Sequence, residues 1–155
     1  MNKQDYLGLM NSSLYDEKTF FDRFLKDLEM CREEVIIESP YITSNRMKIF
    51  YPVFSKLLER NVKIYVVTRA PHDHENTSLR EQAEREVSTF EQIGIQSLLC
   101  IGNHHRKLAI LDKKILWEGS LNILSQTYSR EIMRRIESQE LALQTFDFLR
   151  YKDYI

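Results

Sequence analysis

The chain has 155 residues, with 22 Lys+Arg against 23 Asp+Glu and 43% hydrophobic residues. A domain of that size buries roughly 68–70% of its unfolded surface and folds without disulfide or metal staples, and two independent cores would not fit. The formal net charge of −1 excludes a long basic or acidic tail and, as a whole-chain average, argues against nucleic-acid binding through bulk positive charge.

Residues 1–155 read as a single domain in which 1–16 form a polar lead-in. Phe20, Phe21, Phe24, Leu25, Leu28 and Cys31 then recur at helical spacing, an amphipathic helix with one apolar stripe. Glu34–Glu38 is a strand ended by Ser39-Pro40. Met47, Phe50, Tyr51, Phe54, Leu57 and Leu58 form a second stripe that stops near Asn61, and Val62–Thr68 is a β-branched strand. A polar loop leads to a third helix with Leu79, Ala83, Val87, Phe90 and Ile93 on one face, closed by Gly94. Ile95–Ile101 is the third strand of a pattern that predicts a parallel sheet with right-handed crossovers. The rhythm then changes. Lys107–Leu111 and Lys114–Trp117 are separated only by Asp112-Lys113, which predicts a hairpin. Arg130–Ile136 alternates as a further strand before a helix carrying Leu141, Leu143, Phe146 and Leu149. Together these predict an α/β fold with a mixed sheet.

The longest apolar runs are four residues, against about 20 for a membrane-spanning helix. The first residues contain no apolar core followed by a small-residue cleavage site, so a cytoplasmic protein without membrane insertion is expected. Cys31 and Cys100 are accordingly expected as reduced thiols.

Chemistry concentrates between positions 104 and 131. On an extended strand His105 and Lys107 leave the same face. Imidazole can act as nucleophile, base or acid near neutrality, and a neighbouring ammonium offers fixed charge to an anionic substrate. His104 points to the opposite face and is read as non-catalytic. Gly119-Ser120-x-Asn122 supplies a tight turn followed by a hydroxyl and an amide, both able to donate to phosphate oxygens. Glu131 could orient the imidazole by accepting its second N–H. A competing feature is the loop Pro71-His72-Asp73-His74-Glu75, whose His-x-His has metal-ligand character. It reads first as a surface loop and second as lining for a substrate entrance.

His105-x-Lys107, Asp112, Gly119-Ser120-x-Asn122 and the opening Val35–Ile42 segment together resemble the phospholipase D superfamily, from about residue 17 onward. The resemblance implies a phospholipase D-like α/β/α sandwich with a mixed central sheet flanked by helices. It also implies a phosphodiesterase chemistry that needs no metal or other cofactor. By position, His105 would be the nucleophile that forms a phosphohistidine. Lys107, Ser120 and Asn122 would hold phosphate, Asp112 would be the acidic motif member and Glu131 the partner of the histidine. The chemistry needs a second histidine to protonate the leaving oxygen, and the chain carries one motif only. A homodimer meeting through its active-site face is therefore expected.

The short single-motif chain resembles the endonuclease branch. Between Ile101 and Ile136 seven basic residues (Arg106, Lys107, Lys113, Lys114, Arg130, Arg134 and Arg135) face three acidic ones, a local +4 against −5 elsewhere. DNA or RNA is thus the expected substrate. The alternatives are a phospholipid-headgroup hydrolase and a non-catalytic nucleic-acid-binding accessory domain of a helicase or restriction system.

Overall fold

The computed structural model describes residues 11–155. Its strands are β1 (Ser12–Asp16), β2 (Glu34–Glu38), β3 (Lys63–Arg69), β4 (Gln96–Cys100), β5 (Leu108–Leu111), β6 (Ile115–Gly119) and β7 (Ile132–Glu137). The helices are α1 (Phe20–Glu29), α2 (Ser44–Glu59), α3 (Thr77–Ile93) and α4 (Gln139–Phe148). All seven strands form one sheet in the order β1-β7-β6-β5-β2-β3-β4. β2, β3 and β4 run parallel, and the remaining pairings are antiparallel. The mixed α/β sandwich expected from the sequence is the fold observed. No helix among the described residues is long and apolar enough to cross a membrane.

Strand alternation sorts the sheet into two cores. One face carries Val35, Ile37, Ile64, Val66, Ala109, Leu111 and Trp117 against Phe20, Phe24 and Leu28 of α1, Phe50 and Phe54 of α2, and Phe90 of α3. The other carries Ile36, Tyr65, Val67, Leu108, Ile110 and Leu116 under Ala142 and Phe146 of α4. Helix ends follow local chemistry. Asn76 Oδ1 accepts the Leu79 N–H at 3.0 Å to start α3, and Gly94 closes it at φ +97°, where a side chain would be strained.

Two sequence expectations change. Ser12–Asp16 is not lead-in but an edge strand whose backbone pairs with β7; residues 1–10 of that segment lie outside the described residues. Its sequence lacks an apolar stripe because only Tyr15 packs inward, 5.0 Å from the Trp117 ring, while Leu14 is 55% exposed. Second, Arg135 is not a surface cation. It is buried, and its Nε and Nη2 donate to the Asp27 carboxylate at 2.7 and 3.1 Å, with Trp117 Nε1 donating to the same group at 2.9 Å.

Candidate active site

One end of the sheet gathers the C-terminal ends of β2, β3 and β6 and the N-terminal ends of β5 and β7. Sites in α/β sheets favour the carboxyl ends of parallel strands, and the residues singled out by sequence collect here. His105 and Lys107 do not lie within a strand, as expected, but in the segment just before β5 begins at Leu108. The ladder nevertheless reaches Lys107, whose carbonyl accepts the Gly119 N–H at 3.4 Å.

That segment is held from behind. Glu38, fully buried at the end of β2, accepts a 2.6 Å hydrogen bond from Arg106 Nε and one from the Tyr151 hydroxyl. His104 Nε2 lies 3.0 Å from the same carboxylate. Burial would push the Glu38 carboxyl up, but the His104, Tyr151 and Arg106 donors and the Arg106 charge hold it below its ordinary value. With His104 and Arg106 drawn to one side, alternation turns His105 and Lys107 to the other. His105 is exposed, its ring edge-on to Tyr41 at a centroid distance of 6.1 Å.

Lys107 Nζ donates to the His105 carbonyl at 2.6 Å. Burial lowers the Lys107 pKa, and the Glu131 carboxylate opposes the shift. The Ser120 and Ser129 hydroxyls beside Glu131, together with Lys107, hold that carboxyl below its ordinary value; the Ser129 hydroxyl donates to it at 2.6 Å. Among the described residues Glu131 makes no hydrogen bond to His105. Ser120 is fixed by the start of β7, its N–H donating to the Ile132 carbonyl at 2.9 Å and its Oγ accepting the Ile132 N–H at 3.0 Å. This approach explains Gly119, where a Cβ would strike the Ile132 carbonyl oxygen and come 2.9 Å from Met133 Cα. Asn122 follows in a loop stitched to the end of β2, with the Leu124 N–H on Ser39 Oγ at 3.1 Å and the Gln126 N–H on Thr43 Oγ1 at 2.8 Å. Its Oδ1 is buried without a hydrogen-bond partner; since that oxygen only accepts, a phosphate oxygen would be held by the Nδ2 donor instead.

Asp112 stands apart. It occupies the β5–β6 turn, five residues and roughly 17 Å of strand from Lys107 at about 3.4 Å per residue. Asp112 and Lys113 both take φ 52°, the left-handed pair that a two-residue hairpin requires. The Asp112 carboxylate accepts the backbone N–H groups of Arg32, Glu33 and Glu34, each at 2.9 Å. This geometry assigns it to tying α1–β2 to the hairpin, rather than to chemistry. Asp112→Ala is expected to destabilise the fold by about 2–3 kcal/mol, since three N–H groups lose their acceptor, while kcat of the folded fraction is kept. Urea unfolding beside activity per folded molecule checks this; a fall in kcat with unchanged stability would restore a catalytic role.

The basic segment also divides. Lys113 and Lys114 sit at the hairpin end and Arg135 is buried, whereas Arg106, Lys107, Arg130 and Arg134 remain toward the site end. Sequence reasoning missed Arg69, at the end of β3. Its Nη2 donates to Asn103 Oδ1 at 3.2 Å and its Nη1 to the Tyr41 hydroxyl at 3.4 Å. A cation at the carboxyl end of a parallel strand was the available signal. The two histidines of the 71–75 loop do not converge. His72 is 71% exposed beside Asp73, and His74 is 2% exposed with its ring 5.4 Å from Tyr41. Burial, with the Arg69 and Arg80 charges, lowers the His74 pKa. Among the described residues no group of three or more His, Cys, Asp or Glu is arranged to hold a metal ion.

The same architecture recurs in known structures. NucT from Helicobacter pylori matches with a TM-score of 0.69 at 17% identity, covering 90% of this chain and 92% of that one. Nuc from Salmonella typhimurium, a phospholipase D family member, matches with a TM-score of 0.70 at 15% identity over 90% and 92%. Polyphosphate kinase from Porphyromonas gingivalis matches at 0.69 and 13% identity, covering 94% of this chain but 26% of its own. No curated protein matches the chain in sequence. The family described as "Cardiolipin synthase, PLD-like domain" matches residues 24–149, which takes in β2 through α4 and every motif residue from His105 to Glu131. The chain therefore belongs to the phospholipase D-like family.

Proposed function

We propose that the protein is a phosphodiesterase that cleaves nucleic acid through a covalent phosphohistidine, in an active site completed by a second copy of the chain. The observation that carries this reading is the exposed His105 at the same open sheet end where Lys107, Ser120 and Glu131 gather, with Lys107 held on the His105 carbonyl. The similarity of fold to NucT and to Nuc, the latter named as a phospholipase D family member, supports it.

His105 attacks phosphorus, forming a P–N bond as the P–O bond to the leaving alcohol breaks. A second imidazole gives its proton to that oxygen, because an alkoxide leaves poorly. Water then attacks phosphorus, losing a proton to the second imidazole, and the P–N bond breaks to free His105. Lys107, Ser120 and Asn122 stabilise the phosphate oxygens as charge builds, so the cradle draws its positive charge from the protein. Within the chain His104 is turned to Glu38, His74 is buried beside Tyr41, and His72 is exposed in the 71–73 turn next to Asp73. His105 of a second copy therefore suits the acid role, through a two-fold interface at the active-site face.

Plasmid, single-stranded DNA, RNA and phosphatidylcholine vesicles, each incubated with the protein in EDTA, test the reading. Cleavage of nucleic acid is expected, with a dimer mass by light scattering. Headgroup release alone would assign a lipid substrate, and no cleavage of any substrate would leave a binding domain. A fully active monomer would remove the shared site.

A further inference from the structure

We propose that the α4 side of the sheet carries a track for single-stranded nucleic acid, on the face opposite to the one toward which His105 and Lys107 turn. The proposal rests on the nucleic-acid reading above and deepens it.

The track begins with strand register. Leu14, Arg134, Glu118 and Leu108 are successive cross-strand partners on β1, β7, β6 and β5. Opposed residues project to one face, and Leu108 fixes that face as the α4 side. α4 packs one row further along, where Leu116 and Ile136 lie beneath Ala142 and Phe146. The Leu14–Leu108 row is left as the floor of an open hollow of about 520 Å³ whose rim includes Lys107. Three strand spacings make this floor roughly 14 Å wide, at about 4.8 Å each.

Two more hollows continue it. One of about 320 Å³ lies between Glu118 and Phe148, and one of about 420 Å³ between Leu98, Cys100, Phe148 and Tyr154. Arg106 lines all three, so they form a belt around a single guanidinium. The belt's charged lining is Arg106, Lys107, Arg134 and Arg150 against one carboxylate, Glu118. Two of these cations are already paired, Arg106 with Glu38 at 2.6 Å and Arg150 with Asp153 at 2.7 Å, which leaves Lys107 and Arg134 with Glu118. Arg134 makes no ion pair among the described residues and donates only to Ser12 Oγ.

Along the same belt Phe148 is 83% and Tyr154 63% exposed. Large aromatic rings left in water beside guanidinium groups match the binding of unpaired bases and their phosphates, the rings stacking on bases and the cations following the backbone. A duplex hides its base faces and would use only the cations. Lys107 shares the rim of the belt at the sheet end, but its side chain turns with His105 to the opposite face, so a strand in the belt reaches the candidate active site by passing over the sheet end.

The test uses full-length His105→Asn protein, which binds without cutting, and fluorescein-labelled oligothymidylate or its blunt duplex in anisotropy titrations. Single strand is expected to bind at least about tenfold tighter than duplex, and Phe148→Ala/Tyr154→Ala to weaken single-strand binding by roughly tenfold or more. Arg134→Gln should reduce the slope of log affinity against log salt by about 1. In otherwise native protein, Phe148→Ala/Tyr154→Ala should leave hydrolysis of bis(p-nitrophenyl) phosphate unchanged, because so small a diester never reaches the belt. Unchanged single-strand affinity in the aromatic double variant, or equal binding of duplex, would overturn the track. So would Phe148-dependent sedimentation with phosphatidylglycerol vesicles in place of nucleic-acid binding. If the native protein leaves the small diester intact, the phosphodiesterase reading fails separately, and the titrations still decide the track.

Discussion

Replacing His105 with Asn is expected to lower phosphodiester turnover by at least about 10⁴-fold, because the side chain that attacks phosphorus is lost outright. Asn keeps a similar polar outline but offers no nucleophilic nitrogen and no group that titrates near neutrality. His105 is exposed and its ring contact is an edge-on approach to Tyr41, so stability should change by no more than about 0.5 kcal/mol. The two readouts therefore separate chemistry from folding. Denaturing native protein during turnover of a phosphorus-labelled substrate should trap label on the chain, stable in alkali and released in acid, and the variant should trap none. A variant that still cleaves in EDTA at near the native rate would remove His105 from the chemistry.

Glu38 is expected to matter for both folding and rate. Glu38→Ala takes the acceptor from the Tyr151 hydroxyl, 2% exposed, and removes the carboxylate that lies 3.0 Å from His104 Nε2. One buried donor left unpaired should cost about 1–3 kcal/mol. Arg106, whose side chain is 52% exposed, adds little to that loss because water replaces its partner. The same change frees the segment that aims His105 and Lys107, and kcat should fall by roughly 10²-fold, the scale for displacing a reacting group by about 1 Å. The pH dependence has a definite sign. A carboxyl held below its ordinary value of 4.5 stabilises the fold at neutral pH, and that contribution disappears as pH falls through the lowered pKa. Urea unfolding from neutral to acid pH should show a loss in native protein that is absent from Glu38→Gln. An identical acid profile in both would mean that Glu38 does not carry the effect.

Much of the fold was legible because hydrophobic period and backbone punctuation agree. The Phe20–Leu28 stripe, the β-branched Val62–Thr68 run, Gly94 and the Asp112-Lys113 turn each sit where the structure places an element or its end. β1 was not legible, since an edge strand held by backbone pairing needs no apolar stripe. Within the site, local spacing found His105, Lys107, Ser120 and Glu131, which approach one another through neighbouring strand ends. Contacts made by distant segments stayed hidden. Asp112 reaches N–H groups of residues 32–34, and Arg135 pairs with Asp27 across the core. Glu38 looked like an ordinary strand end, and only the folded chain reveals the Arg106 and Tyr151 donors and the nearby His104 ring converging on it. The local excess of positive charge was real in sequence but divided by the alternation of β7, which turns Arg134 outward and Arg135 inward.

The four residues from His104 to Lys107 divide alternately between Glu38 and the open site. Function here is written in the parity of the chain. Inserting one residue between Lys107 and Leu108, with β5 held in register by its buried side chains, would exchange the two faces of the segment before it, setting a reactive imidazole against the buried carboxylate. Length at this junction should therefore be far less tolerant of change than chemistry is. An evolving or engineered variant can alter what the strand end touches, but it must preserve the odd and even count by which the strand end is read.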